Sequence, residues 1–133
     1  MPIEYHIDHG RRLVVAIASG KLTAEDIFNY KRHVCSLPDV RGFNELVDAR
    51  KLEEILSLTV EKISELAKLS AYMDDKAIST KLAIVVSGTF LYGMGQLYEA
   101  LRNVNPMSTK KVSVFRSMQE AIDWIDGKEL ACP

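Results

Sequence analysis

Two short runs, Leu13–Ala18 and Leu82–Val86, are apolar at every position. A strand with apolar groups on both faces has to be covered on both, which places it inside a sheet rather than at its edge. Between such runs the apolar period changes from two to between three and four residues, the mark of amphipathic helices. A chain that alternates these two periods is committed to a layered arrangement of sheet and helices.

The first strand is of another kind. Ile3, Tyr5 and Ile7 alternate with Glu4, His6 and Asp8, which suits a half-buried edge. Asp8-His9-Gly10 then turns the chain into the apolar run from Arg12 to Ser19, so an antiparallel hairpin is expected. Gly20 is expected to end that second strand. Thr23 and Asp26 have capping-box spacing, and Ile27, Tyr30, Lys31, Val34 and Cys35 follow at helical spacing until Pro38.

Phe43 to Ala49 reads as a third strand. Leu52, Ile55, Leu56, Val60, Ile63, Leu66, Ala67 and Met73 then describe a helical stripe whose regular part begins near Thr59, the expected N-cap. Lys81 to Ser87 is a fourth strand. Thr89 to Asn105 is a helix with Phe90, Met94, Leu97, Tyr98 and Leu101 on one stripe. Lys111 to Phe115 is a fifth strand. Ser117 with Glu120 forms a capping box before Met118, Ala121, Ile122 and Ile125, and Gly127 stops the last helix.

The expectation is therefore one domain over residues 1–133 of α/β class. It comprises a mixed five-stranded sheet with an N-terminal antiparallel hairpin, right-handed βα repeats and four helices. At 133 residues the chain is long enough to bury roughly two thirds of its unfolded surface.

This order of elements resembles the anti-sigma-factor-antagonist-like group, the STAS and CRAL-TRIO-like fold, and within it the small bacterial stand-alone SpoIIAA-like branch. The resemblance covers nearly the whole chain. Its segments are Ser19-Gly20-Lys21-Leu22-Thr23-Ala24-Glu25-Asp26, Glu45-Leu46-Val47-Asp48-Ala49-Arg50, Leu82-Ala83-Ile84-Val85-Val86, Tyr92-Gly93-Met94-Gly95-Gln96-Leu97-Tyr98-Glu99-Ala100 and Val114-Phe115-Arg116. It implies a binding or regulatory module rather than a catalyst. In anti-sigma antagonists a serine of an Asp-Ser-Ser-Gly-like motif after the third strand is phosphorylated. Here Leu56-Ser57-Leu58-Thr59-Val60 stands in that neighbourhood, so the motif is missing although Ser57 and Thr59 supply hydroxyls. A helix start is favourable ground for a phosphate, but the expected role of Thr59 is a plain N-cap.

Charge and composition exclude several functions. The chain has 17 basic and 18 acidic residues, a formal net charge of -1, with no basic footprint for nucleic acid. No apolar run approaches the ~20 residues of a membrane span, so no membrane insertion is expected. Met-Pro-Ile-Glu-Tyr-His is not the start of a secretory signal. Cys35 and Cys132 are too few for a disulfide framework or a zinc motif, and reduced thiols in the cytoplasm are the expected state.

Catalytic and cofactor signatures are absent too. His6, Asp8 and His9 cluster near the first turn but read as exposed strand polarity rather than a metal site. His33 and Cys35 lie two apart on a helix and do not face each other, and Cys35 reads as a small core residue. Gly88, Gly93 and Gly95 match neither standard phosphate-loop spacing, and close packing is the expected reason for Gly93 and Gly95. No cofactor, no metal and no enzymatic activity are expected.

The candidate contacts lie where ligands collect in open sheets, beyond the carboxyl ends of the strands. Asp48, Arg50, Ser87 and Thr89 are expected to converge there, with Tyr92 as an exposed contact and Met94 nearby. The expected partners are a protein, a small apolar or anionic ligand, or a second copy of the chain. The homodimer expectation comes from the two-faced second strand: its second face needs either the terminal helix or a partner as cover.

Overall fold

The computed structural model describes residues 3–128. Ile3–Asp8 (β1) and Leu13–Thr23 (β2) form the antiparallel hairpin, with Ile3 opposite Ala18 and Asp8 opposite Leu13. Thr23 then caps Ala24–Val34 (α1): its hydroxyl accepts from the Asp26 N–H at 3.1 Å, and its own N–H donates to Asp26 Oδ2 at 2.9 Å. The shorter aspartate thus completes a reciprocal capping box. A single 3₁₀ turn at Pro38–Val40 leads to Asn44–Leu56 (β3), followed by Val60–Met73 (α2), Thr80–Val86 (β4), Thr89–Val104 (α3), Lys110–Phe115 (β5) and Met118–Ile125 (α4). At α4 only half of the expected box forms, since Ser117 accepts from the Glu120 N–H at 3.3 Å without a return bond.

The sheet order is β1-β2-β3-β4-β5, with β1 antiparallel and every later pair parallel. The two fully apolar runs lie in β2 and β4, each flanked by a strand on both sides. Register sorts the side chains onto two faces. Ile3, Val14, Ala16, Val47, Ala49, Ile84, Val86 and Val114 meet α1, α2 and α3 on one face. Leu13, Leu46, Ala83, Val85 and Phe115 meet Ala121 and Ile125 of α4 on the other. The terminal helix therefore supplies cover for the second face, though not for all of it: Ile17 of β2 remains 40% exposed.

Two expected strand ends are overturned. Gly20 does not terminate β2, and Ala49 does not terminate β3. The strands run on together as a ribbon, Gly20 opposite Leu52 and Thr23 opposite Leu56. Register shifts at Ile17/Ser19 and Gly20/Lys21 bend this pairing, and Gly20 adopts φ +68°, which glycine enters without steric cost. Leu52, Ile55 and Leu56 therefore belong to a strand, not to the second helix. Their three-to-four spacing imitates a helix because the bulge rephases a strand whose inward side still has to be apolar.

In the third helix Met94, Leu97, Tyr98 and Leu101 pack inward as expected, joined by Leu91 and Arg102, whereas Phe90 is 73% exposed. Of its two interior glycines, Gly95 packs as expected: a Cβ there would lie 3.1 Å from both methyls of Val114. Gly93 faces open space. Cys35 is half-buried at the C-cap of α1 rather than in the core, and Cys132 lies outside the described residues.

Candidate functional site

A predominantly apolar chamber of about 170 Å³ lies between the sheet and the inner sides of α1, α2 and α3. Its walls come from the sheet and the three helices on that face: Ile27 of α1, Ile63 and Leu66 of α2, Leu91 and Met94 of α3, and the sheet residues beneath. The β2–β3 ribbon closes one side with Leu22, Leu52 and Ile55, the residues whose strand character the apolar spacing concealed. Protein interiors normally pack to the density of organic crystals, so a partly open apolar pocket of this size is a feature that calls for an explanation.

Its lining is apolar except at one end, where Tyr30, Lys31, Glu45 and Tyr98 gather. Glu45 is 4% exposed and on the helix-covered face of β3. Its Oε2 accepts from the Tyr30 hydroxyl at 2.7 Å, and its Oε1 accepts from Lys110 Nζ at 3.3 Å. Burial pushes this carboxyl up, but the charges of Lys110 and Lys31 and the two hydrogen bonds outweigh it and hold Glu45 below the usual carboxylate range. Burial and the Glu45 charge together push the Tyr30 phenol well above its ordinary value, so it remains a donor. Burial alone would lower Lys31; Cys35, Tyr98 and Glu45 around it outweigh that and hold it above its ordinary value, so it stays an ammonium. Burial raises the Cys35 thiol, which is the wrong direction for a nucleophile.

Lys31 and Glu45 also line a second, more polar cavity of about 270 Å³ that extends past Val34, Cys35 and Phe43 to Asp74 and Lys110. Near it lies a fully buried Arg102. Its guanidinium donates to Asp74 Oδ2 at 2.7 Å and to the Tyr98 hydroxyl at 2.6 Å, and Tyr98 in turn donates to Ser70 at 3.0 Å. This network ties α2, α3 and the start of β5 together.

The residues expected at the strand ends do not line the chamber. Asp48 is not at the end of β3 but opposite Ile17 and Val85, with eight strand residues still to come. Its Oδ1 accepts from the Arg50 backbone N–H at 3.2 Å and from Arg50 Nε at 2.9 Å, and its Oδ2 accepts from the other guanidinium arm at 2.9 Å. These Arg50 bonds hold the Asp48 carboxyl below its ordinary value. Ser87 and Thr89 are exposed at the same end of the sheet, just past the Ala49–Val86 pairing, with no hydrogen bond to Asp48 or Arg50 among the described residues. Tyr92 is half-buried, its ring under the Arg116 guanidinium at 4.1 Å.

Ser57 and Thr59 stand elsewhere, beyond the far end of the ribbon. From Asp48 to Leu56 alone the strand contour is about 26 Å. Thr59 caps α2 by accepting from the Lys62 N–H at 3.1 Å. Ser57 has φ +63° and shares an open depression with Thr23, Phe28, Arg32 and Lys62. The seven candidate positions thus fall into two separate surface regions, with the chamber a third place.

Sequence reasoning passed over the residues of the chamber's polar end. Lys31 stood in an apolar helical stripe and Glu45 in a strand otherwise apolar toward the helices, and a charge at a core-facing position is the signal that could have found both. Among the described residues no group of three or more His, Cys, Asp or Glu side chains is placed to hold a metal ion. No helix there is long and apolar enough to cross a membrane.

No family model matches the chain, and no curated protein matches it. Among solved structures it is similar to an uncharacterized protein from the DUF3478 family with a SpoIIAA-like fold from Shewanella loihica PV-4. The two are 18% identical with a TM-score of 0.57, over 92% of this chain and 93% of that one. With an antiparallel hairpin, three parallel additions and four helices in the order described, this chain has the SpoIIAA-like fold.

Proposed function

We propose that the chain is a non-catalytic binding module whose chamber takes up a small apolar molecule. The observation that carries this is the 170 Å³ partly open pocket itself, lined mainly by aliphatic side chains from the sheet and three helices. An engineered cavity of about 150 Å³ with a similar lining stays dry and accepts benzene. Binding to the folded state alone stabilises it, so the unfolding temperature rises with the logarithm of ligand concentration above Kd.

Thermal unfolding with and without millimolar toluene tests the reading. The melting temperature rises with toluene in the parent protein and does not in Ala49→Ile, which places three further carbons in the chamber. No shift in the parent protein removes the proposal.

A regulatory, protein-binding role draws on the surface instead. The support for it is the doubly bonded Asp48–Arg50 pair, which leaves the Arg50 side chain 47% exposed beside Ser87 and Thr89. Ser57 and Thr59 would be a second contact region. Asp48→Ala with Arg50→Ala then abolishes capture of a protein partner while toluene uptake persists; unchanged capture removes this role from the pair. Self-association has a narrower basis than the two-faced β2 run implies, because α4 covers Leu13 and leaves Ile17 as the exposed apolar group. A homodimer formed there is lost in Ile17→Lys, and a monomer at high micromolar concentration in sedimentation rules it out.

A further inference from the structure

Lys31 is 6% exposed, in the middle of an apolar helix stripe, and among the described residues no carboxylate pairs with it directly. Among the described residues it makes no ion pair within 4.0 Å and no hydrogen bond to an oxygen; the Cys35 thiol stands beside it. The one carboxylate in the cluster, Glu45, is already bonded by Tyr30 and by Lys110. Two ammonium groups against one carboxylate leave an excess of one positive charge in the interior. Lys31 lines two cavities, the apolar chamber and its polar neighbour.

A buried charge without a partner is strongly unfavourable, and an anion that brings its own negative group removes the penalty. Resting on the chamber reading above, we infer that its ligand is a small carboxylate with an apolar body, the body in the chamber and the carboxylate on Lys31. Size sets the upper bound: the space suits a ring of benzene size plus a few atoms, not a long acyl chain. Glu45 sharpens the choice, because a dianion or a second carboxylate would meet its charge, whereas one carboxylate matches the single unbalanced positive charge. The Tyr30 hydroxyl is committed to Glu45, so it is not the donor for a ligand carboxylate.

Benzoate, toluene and acetate separate the contributions, with binding followed by NMR chemical-shift titration of the parent protein and Lys31→Met. In the parent protein benzoate binds at least tenfold more tightly than toluene, and acetate, which lacks the apolar body, at least tenfold more weakly than benzoate. In Lys31→Met the advantage of benzoate over toluene disappears while toluene still binds. Lys31→Gln serves in its place if the methionine variant does not fold. Toluene binding without a benzoate advantage, or an advantage that survives loss of Lys31, overturns the carboxylate assignment and leaves the chamber standing. Acetate binding as tightly as benzoate shows an anion site independent of the chamber and overturns it as well. Failure of every probe to bind overturns both the assignment and the chamber reading.

Discussion

The Tyr30 hydroxyl donates to Glu45 Oε2 at 2.7 Å, so α1 is hydrogen-bonded to the centre of the sheet where both residues are buried. That bond, together with Lys110 and Lys31, is what keeps a carboxylate ionised against the chamber wall. Tyr30→Phe removes the donor and nothing else of size. Leaving a buried charged acceptor one bond short costs about 1–3 kcal/mol, to be read from urea unfolding at pH 7.

The same carboxylate gives the fold an acid dependence of definite sign. Its folded value lies below the ordinary 4.5, so its contribution to stability is fully present above about pH 4.5 and is lost as the pH falls through the folded value. Glu45→Gln is less stable than the parent at pH 7. The gap between the two narrows as the pH is lowered from 4.5, in urea unfolding at a series of pH values. A gap that stays constant with pH would show that Glu45 is not ionised in the folded protein.

Among the described residues Arg102 and Asp74 form the most deeply buried ion pair, with side chains 0% and 3% exposed. Asp74 also accepts from the Ser108 hydroxyl and from the Thr109 and Lys110 N–H groups. Arg102→Ala leaves that carboxylate without its cation and costs about 3–5 kcal/mol. Arg102→Lys does not restore the loss, since one ammonium cannot reach Tyr98, Ser108 and Asp74 in the geometry of the guanidinium fork. Denaturant midpoints of the two variants check this.

Two glycines on one helix separate propensity from packing. Gly93→Ala meets no atom within 4 Å and is expected to stabilise α3 by about 0.5–1 kcal/mol. Gly95→Ala has the same helical gain but drives its Cβ to 3.1 Å from the Val114 methyls, so its net effect falls below that of Gly93→Ala. Thermal unfolding of the pair reads the difference directly.

Ser57 and Thr59 are separated in the same way. Thr59→Ala removes the α2 cap and costs about 1 kcal/mol. Ser57→Gly relieves a left-handed conformation at φ +63° and stabilises by up to about 1 kcal/mol. Opposite signs in the two melting temperatures confirm that Thr59 caps the helix and Ser57 does not.

The alternation of period-two and helical spacing was enough for the order of elements, the edge position of β1, the interior positions of β2 and β4, and the helix caps. Each of these is a local consequence of which residues stand within one turn or one strand of each other. Lys31 in the α1 stripe and Glu45 in β3 were visible as charges at apolar positions, but not as neighbours. Their meeting depends on how α1 packs across the hairpin strands β1 and β2, which brings its inward side within reach of Glu45.

The ribbon and the chamber were decided only in three dimensions. Gly20 reads locally as a stop, yet it bulges, because β3 continues alongside β2 and offers it backbone partners that no local pattern reveals. Leu22, Leu52 and Ile55 then acquire a common inward side, and the void they help enclose is set by the separation of three helices from one sheet. The sequence by itself determined which residues must leave water; the tertiary structure alone decided where they fail to fill the space they enclose, because packing density is a property of facing layers and not of any segment.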